Sequence, residues 1–283
     1  MSTADPDRSL RSAGPGTGPA LRAGAGPDFL VRFAAGEDDI LAAQRLRYRV
    51  FVTELGGDGP MVDHARGLER DRFDAVAEHL LLIDRAHPGG ETVVGVYRLL
   101  DDAAAARAGQ FYTEGEYDLA VLRAGGRRLL ELGRSCIDPA YRGGQAMVWL
   151  WQALAAEVGA RGIDVLFGVA SFHGTDVATL AQPLAFLHHE HLAPPDLRVR
   201  ARVFQTMDLV PARQIDRRAA LLATPALIKA YLRLGGFVGE GAFVDHAFNT
   251  TDVCLLLDVA RMKPGQAALY TRDRTDNRDR TGA

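Results

Sequence analysis

Three carboxylates stand within the segment LERDRFD: Glu69, Asp71 and Asp74. So tight a cluster repels itself unless a cation sits among its members. Arginines, a metal or a cationic substrate could each supply that charge, and a solvated acidic loop is the plainer alternative. A second constellation, ELGRSCID, sets Glu131 and Arg134 in a run otherwise fit for burial. Strand side chains alternate, so positions three apart normally face opposite ways. Gly133 lies between them, and a strand glycine often marks a β-bulge. With a bulge there, both side chains would face one site, and an unpaired N–H could polarise a carbonyl. A structural ion pair at a strand end would use the same two residues. The third constellation, DPAYRGGQAM, puts Arg142, Gly143 and Gly144 ahead of an apolar helical run. Such a turn offers backbone N–H groups and a positive dipole end to a phosphate, although a plain connector looks the same.

The remaining reactive side chains point to less. His188, His189 and His191 lack the spacing of a zinc-binding helix, so no metal is expected. Cys136 has no histidine base nearby in sequence, and Cys254 sits in an apolar run. Two such thiols make neither a disulfide framework nor a zinc site, and they fit a reducing cytoplasm. Arg198, Arg200 and Arg202 alternate with Val199, Ala201 and Val203, so a strand would carry them as a basic stripe. That stripe could meet an acidic partner or an anionic membrane, or be a solvated edge. Residues 221–234 carry Leu227, Ile228, Tyr231 and Leu232 beside Lys229 and Arg233, a pattern shared by interfacial and core helices.

Elements of both kinds must hold these groups. Residues 29–33 read as a strand, and 37–54 as a helix whose face carries Leu41, Tyr48, Phe51, Val52 and Leu55. The apolar runs 78–84 and 92–100, joined by the turn-rich HPGG, should pair as a hairpin. Residues 129–138 form the next strand. A helix then runs from Gly143 to Val158 and buries Met147, Leu150, Trp151, Leu154 and Val158. A buried strand at 163–170, a helix at 176–189 despite Pro183, and strands at 242–245 and 253–259 complete the order. That order is mixed α/β, of α+β character, rather than doubly wound. Residues 1–27 and 264–283 are too polar and glycine-rich to bury much and read as disordered tails around one domain, 28–263.

Composition narrows the function classes. No apolar stretch reaches the roughly 18 to 20 residues that span a bilayer. A formal net charge of -3 gives no global mark of a nucleic-acid binder.

In sequence, GVYRLL followed by LELGRSCIDPAYRGG resembles the central strands and helix of the GNAT acyltransferase superfamily. Within it the chain is similar to the bacterial L-ornithine N-acyltransferases that make lyso-ornithine lipid. That likeness runs through LRYRVF, ERDRFD, FYTEGEYDL, LELGRSC, GVASFHGTD, the histidines before LAPP, and LIKAYLRLGGFVGEGAFVDHAFNTTDV. A more distant resemblance joins it to acyl-homoserine-lactone synthases, whose charged pattern falls here on Arg47 with Phe51, on Glu69, Asp71 and Asp74, on Arg98, and on Glu131 with Arg134.

The resemblance implies a GNAT-type fold, a mainly antiparallel central sheet flanked by helices. It implies transfer of a 3-hydroxyacyl chain from acyl carrier protein to the α-amino group of L-ornithine. The phosphopantetheine thioester would be a co-substrate, with no other cofactor. Glu131, Arg134 and Arg98 would be catalytic, with Glu131 the base. Arg47, Phe51, Glu69, Asp71 and Asp74 would bind ornithine, the acids taking its side-chain ammonium and Arg47 its carboxylate. Arg142, Gly143 and Gly144 would meet the acyl donor. Gln145 and Met147 replace the later glycines of the coenzyme A cradle, a departure that favours a carrier protein with its single phosphodiester. A cytoplasmic enzyme touching the inner-membrane surface is the implied setting. A lactone-type signal synthase and a non-catalytic carrier- or lipid-binding module are the alternatives.

Overall fold

The structure is a computed structural model and describes residues 26–262. The expected tails fall outside that range, apart from the two residues before Asp28. The elements run β1 (Phe29–Phe33), α1 (Glu37–Arg47), β2 (Glu78–Asp84), β3 (Thr92–Asp101), α2 (Asp102–Ala108), β4 (Tyr117–Asp118) and α3 (Ala120–Ala124). They continue with β5 (Leu129–Ile137), α4 (Ala146–Arg161), β6 (Val165–His173), α5 (Ala181–His191), β7 (Arg200–Ala201) and α6 (Arg217–Ala223). Last come α7 (Ala226–Arg233), β8 (Phe237–Val238), β9 (Phe243–Asp245) and β10 (Thr250–Asp258).

One sheet carries the fold, in the order β1-β2-β3-β5-β6-β10-β8, with β9 on the far part of β10. Every pairing is antiparallel except β5 with β6. This is the mixed, mainly antiparallel sheet expected. Period-2 alternation explains how helices cover both faces. Strand β2 sends Leu80 and Leu82 into the cluster holding Leu150 and Leu154 of α4, and Leu81 and Ile83 into the cluster holding Ala43 and Leu46 of α1. A third cluster, with Phe111, Tyr117, Leu119, Phe167, Cys254 and Leu256, lies under the segment that follows α2.

Boundaries moved where backbone geometry overrode pattern. The helix expected over 37–54 is α-helical only to Arg47. From Tyr48 to Glu54 it widens into a π-helix, with Leu55 N–H bonding Val50 O at 3.2 Å. Such wide turns are common at functional sites. The helix expected from 176 starts at Ala181, so Pro183 falls in the first turn, where its missing N–H costs nothing. The single helix read at 221–234 is two, α6 and α7, parted at Thr224 and Pro225.

Strands β5 and β6 pair only at Leu129, Leu130 and Glu131 with Val165, Leu166 and Phe167. Beyond them the two strands part, while β6 keeps β10 as its other neighbour to its last residue. At the parting point Gly168 lies so close to β5 that a Cβ there would sit 2.1 Å from Leu132 O. Backbone cannot yield as a flexible side chain can, so Gly168→Ala must push β6 away from β5. Urea unfolding should show a loss of about 1–3 kcal/mol. A variant as stable as the parent would mean that the strands are not held at that distance.

Candidate active site

The cations of the first acidic cluster are arginines. Arg47, the last residue of α1, is fully buried. Its Nε donates to Glu69 Oε2 at 2.5 Å, its Nη1 and Nη2 to the two oxygens of Asp74 at 2.8 Å each, and Nη2 also to Glu69 O at 2.7 Å. Arg98 of β3 donates to Asp71 Oδ1 at 2.6 Å and Asp74 Oδ1 at 2.9 Å. Arg134 of β5 reaches Glu69 Oε1 and Asp71 Oδ2, both at 3.1 Å. Burial works to raise the Asp74 and Asp71 carboxyls, but Arg47 and Arg98 at the first and Arg98 and Arg134 at the second hold both below the usual range. Glu69 and Asp74 in turn keep buried Arg47 charged against its desolvation.

This lattice corrects the role expected for Arg47. Its guanidinium is enclosed and spent on Glu69 and Asp74, so no face is left for a substrate carboxylate. Glu69 and Asp74 are likewise occupied by arginine, and neither they nor Asp71 nor Arg98 lines the cleft described below. Their geometry ties α1, the 69–74 loop, β3 and β5 together.

The bulge anticipated at Gly133 is present. Val96 faces Cys136 and Arg98 faces Gly133, so Tyr97 stands opposite both Arg134 and Ser135. The residue that adopts the left-handed backbone is Arg134 itself (φ 48), not the glycine. A left-handed arginine is strained, and its surroundings must hold it. Its ionic bonds to Glu69 and Asp71 and its stacking on Tyr112, 4.6 Å from the ring centroid, do so.

Glu131 is 3% exposed. Its Oε2 accepts from Tyr112 N–H at 2.8 Å, and its Oε1 from Thr113 N–H at 2.6 Å and Thr113 Oγ1 at 2.5 Å. Burial pushes this carboxyl above its ordinary range, and the Thr113 and Tyr112 donors pull the other way. A partly desolvated carboxylate in a cleft, fixed by three donors, is equipped to take a proton.

The parting of β5 and β6 opens a cavity of about 250 Å³. Its lining includes Glu131, Gly133, Arg134, Phe51, Tyr112 and Tyr231. Strand alternation sorts that lining into two mouths. On the face shared with Glu131 and Phe167 lie Ser171, Thr250 and Asp252, with Asp245 at the rim. On the face of Leu132 and Leu166 lie Leu255, Leu227, Tyr231 and Tyr97. One mouth is polar and acidic, the other apolar. Sequence reasoning missed Tyr112, Ser171 and Asp252 in the lining, and Thr113 as a partner of Glu131. Asp252 did carry a signal, being an acid inside the strand TTDVCLLLD, whose every residue is buried and whose other acid, Asp258, ends it.

Other expected residues lie elsewhere. Arg142, Gly143 and Gly144 are at the start of α4, outside the cavity lining, with Arg142 bonded to Glu54 at 2.6 and 2.7 Å. The α4 N-terminus has no side-chain cap, which leaves its N–H groups available. The arginine stripe keeps its alternation, but Arg198 bonds Ala193 O, Arg200 bonds Glu240 and Arg202 bonds Glu114 O. It is a set of local ties more than a free basic face. The apolar face around Tyr231 is turned inward against Trp151, 5.3 Å between ring centroids, so it is core and not a membrane face. His188, His189 and Asp208 bring donor atoms within 4.8 Å, but His189 already bonds Asp208 and Val210 O, so an ion would have to displace both contacts. Burial lifts the Cys136 thiol to about 12 and Cys254 well above its usual value, so neither is a nucleophile.

Comparison with known proteins decides the family. An acetyltransferase (GNAT) domain model matches residues 46–152. The L-ornithine N(alpha)-acyltransferase of Rhodobacter capsulatus is 61% identical over 246 residues, 86% of this chain and 95% of that protein. The protein of the same name from Brucella abortus is 43% identical over 246 residues, 85% of this chain and 88% of that protein. The chain belongs to the L-ornithine N(alpha)-acyltransferase family. Among solved structures, a CoA-dependent acyl-homoserine lactone synthase, BjaI, shares 15% identity over 86% of this chain and 88% of its own, with a TM-score of 0.48.

In this acyltransferase the arginine lattice must also govern acid stability. Asp71 and Asp74 have folded pKa values below the unfolded carboxylate value of about 3.9. Their contribution is therefore complete above that pH and lost as pH falls through the lower folded values. Replacing Arg47 by Met leaves Glu69 and Asp74 short of their counter-charge and should cost about 3–5 kcal/mol at pH 7. The deficit should shrink on acidification toward pH 3, as Asp74, without Arg47 to hold it low, takes up a proton. Parallel urea titrations at the two pH values would show it; an equal loss at both would exclude an ionic origin.

Proposed function

We propose that this protein transfers a 3-hydroxyacyl group from acyl carrier protein to the α-amino group of L-ornithine, giving lyso-ornithine lipid. The observation that carries this reading is the passage through the sheet, with Glu131 and the Arg134 bulge at its waist, an acidic mouth on one face and an apolar mouth on the other. An amine and an acyl thioester need such opposite surroundings, and the waist is where their reacting atoms would meet.

The amine arrives as an ammonium and must lose a proton before it has a lone pair to attack with. Glu131, directly or through a water, takes that proton. The amine nitrogen then bonds the thioester carbonyl carbon, and the oxygen gains negative charge. The residue left unpaired by the bulge offers an N–H for that oxygen, a contribution of about 3–4 kcal/mol for one well-placed donor. Collapse breaks the carbon–sulfur bond. The thiol leaves with a proton, and the amide remains.

Arg134 carries the positive charge that lines the passage, and it would meet the ornithine carboxylate. Arg98 acts through Asp71 and Asp74 as a positioning residue. Arg142, Gly143 and Gly144 would take the phosphodiester of the carrier's arm at the α4 N-terminus. Gln145 and Met147 start that helix with side chains where a diphosphate would need room, which favours a carrier protein over coenzyme A. Carrier-bound acyl chains place the reaction in the cytoplasm. The product is amphiphilic, so its release would bring the protein to the inner membrane surface. No helix of the described residues is long and apolar enough to cross a membrane.

Free thiol released from 3-hydroxyacyl carrier protein should depend on ornithine and should be much slower when the same acyl group is on coenzyme A. Equal rates would remove the carrier preference, and no release with any amine would overturn the enzymatic reading. Glu131→Gln should lower kcat by about 10²–10⁴-fold, with thermal unfolding measured beside it as a check on the fold. The rate of the parent should rise with pH through the raised pKa of Glu131, above the ordinary value of about 4.3, and then level off. A rising limb that survives in the Gln variant would assign the base elsewhere.

A further inference from the structure

The molecule has a second acidic cluster, and this one has no arginine lattice. Asp252 of β10 and Glu116, just before β4, are 4% and 6% exposed. Asp252 Oδ1 and Glu116 Oε2 make no hydrogen bond. Among the described residues, no arginine, lysine or histidine forms an ion pair with either carboxylate. Asp245 at the rim spends its Oδ1 on the N–H groups of Ala247 and Phe248, at 2.8 and 3.0 Å. Buried carboxylates with an unbonded oxygen and no ion pair are expensive, and native proteins keep few of them without a use.

The electrostatics match that geometry. Burial, then Asp252 and Asp245, push Glu116 well above its ordinary value, and burial lifts Asp252 to about 6, with Asp245 adding to it. Hydrogen bonds with Ser171 and Thr250, and the charge of Arg134, pull Asp252 the other way without restoring it. No cation is bonded to the cluster, because Arg134 makes its ion pairs with Glu69 and Asp71 and acts on Asp252 and Glu116 only from a distance.

We propose that Asp252 and Glu116, with Asp245 at the rim, form the subsite for the side-chain ammonium of a diamino acid, and so set which of its two amines reaches Glu131. This rests on the amide-forming reading above and assigns within it the residues that select the acceptor. It also relocates the ammonium, since Glu69, Asp71 and Asp74 already have their cations.

Register supports the spacing. Glu131 pairs with Phe167 and Asp252 with Ser171, so the two carboxylates flank β6 four residues apart on the same face. Four residues along the strand, about 13 Å, and two strand spacings across it, about 10 Å, put their Cα atoms about 16 Å apart, a gap that the two side chains shorten. An extended ornithine with a hydrogen bond at each amine, each about 3 Å long, spans roughly 12 Å. One segment sets both ends. Tyr112 and Thr113 bond Glu131, while Tyr117 Oη donates to Asp252 O at 3.0 Å and Gly241 O at 2.9 Å. Glu116 sits between them in the chain.

The test compares ornithine with norvaline, the same carbon chain without the terminal ammonium, on the full-length protein. Ornithine should be preferred by the parent, and Asp252→Asn should cut the ornithine-over-norvaline ratio of kcat/KM at least 10-fold. The loss should lie in the KM for ornithine, with the acyl-donor KM unchanged. A structural role alone would lower both amines together. Glu116→Gln serves as the second variant if Asp252→Asn fails to fold, and it should shift the ratio the same way. Calorimetric titration of the donor-free protein with each amino acid separates the two layers of the proposal. Weaker ornithine binding in the variants, with norvaline unchanged, supports the subsite even if no acyl transfer is found. Thiol release by the parent with an unaltered ratio in both variants would overturn the subsite and leave the acyltransferase reading intact.

Discussion

Beyond Glu131 and Phe167 the central strands β5 and β6 lose each other as neighbours, and the rest of the site depends on that separation. Strands that stop pairing leave backbone N–H and C=O groups that must find other partners. They also open a passage across a sheet that is otherwise closed. Two local devices hold the parting in place: the absence of a side chain at Gly168, which lets β6 approach Leu132 O, and the bulge that turns Arg134 back toward the gap. A closed sheet of the same sequence would have put Glu131 and Asp252 on a buried face with nothing to act on.

Electrostatics then divides the labour between two acidic clusters. Around Arg47, three arginines and three carboxylates neutralise one another without solvent, and the result is a rigid joint linking α1, the 69–74 loop and two strands. Around Asp252 the acids repel one another and wait for a charge from outside. The first arrangement suits a scaffold, since nothing further can bind it cheaply. The second sacrifices stability of the empty protein for affinity toward a cation, the usual relation between a strained site and its ligand. Arg134 belongs to both, being the one arginine of the lattice that also lines the passage.

What could be read from the sequence followed the range of the interactions involved. The β2–β3 hairpin was legible because alternation and the HPGG turn are local signals, and the strand over 129–138 likewise. Gly133 announced the bulge, although the left-handed residue turned out to be its neighbour, because packing against Tyr112 and the lattice decides which residue takes the strain. Arg47 was expected to meet a substrate carboxylate because a resemblance marks a charged residue without its partners, and only the fold reveals that its counter-charges come from 22 and 27 positions away. The open cluster was the hardest to see. Asp252 and Glu116 belong to segments more than a hundred residues apart in the sequence; the first alone passes for a break in an apolar run, the second for one acid of a polar loop. Tyr231 met the same limit: it fits an interfacial or a core helix equally until Trp151 is placed against it.

The central claim is that acceptor and donor enter the passage from opposite faces of the sheet. A crystal structure with L-ornithine and a non-hydrolysable acyl-pantetheine analogue bound together would test it most directly. The account predicts the α-amine beside Glu131, the side-chain ammonium against Asp252, and the acyl chain leaving past Leu227 and Tyr231. Ornithine seated on Glu69 and Asp71, or both ligands on one face of the sheet, would contradict it.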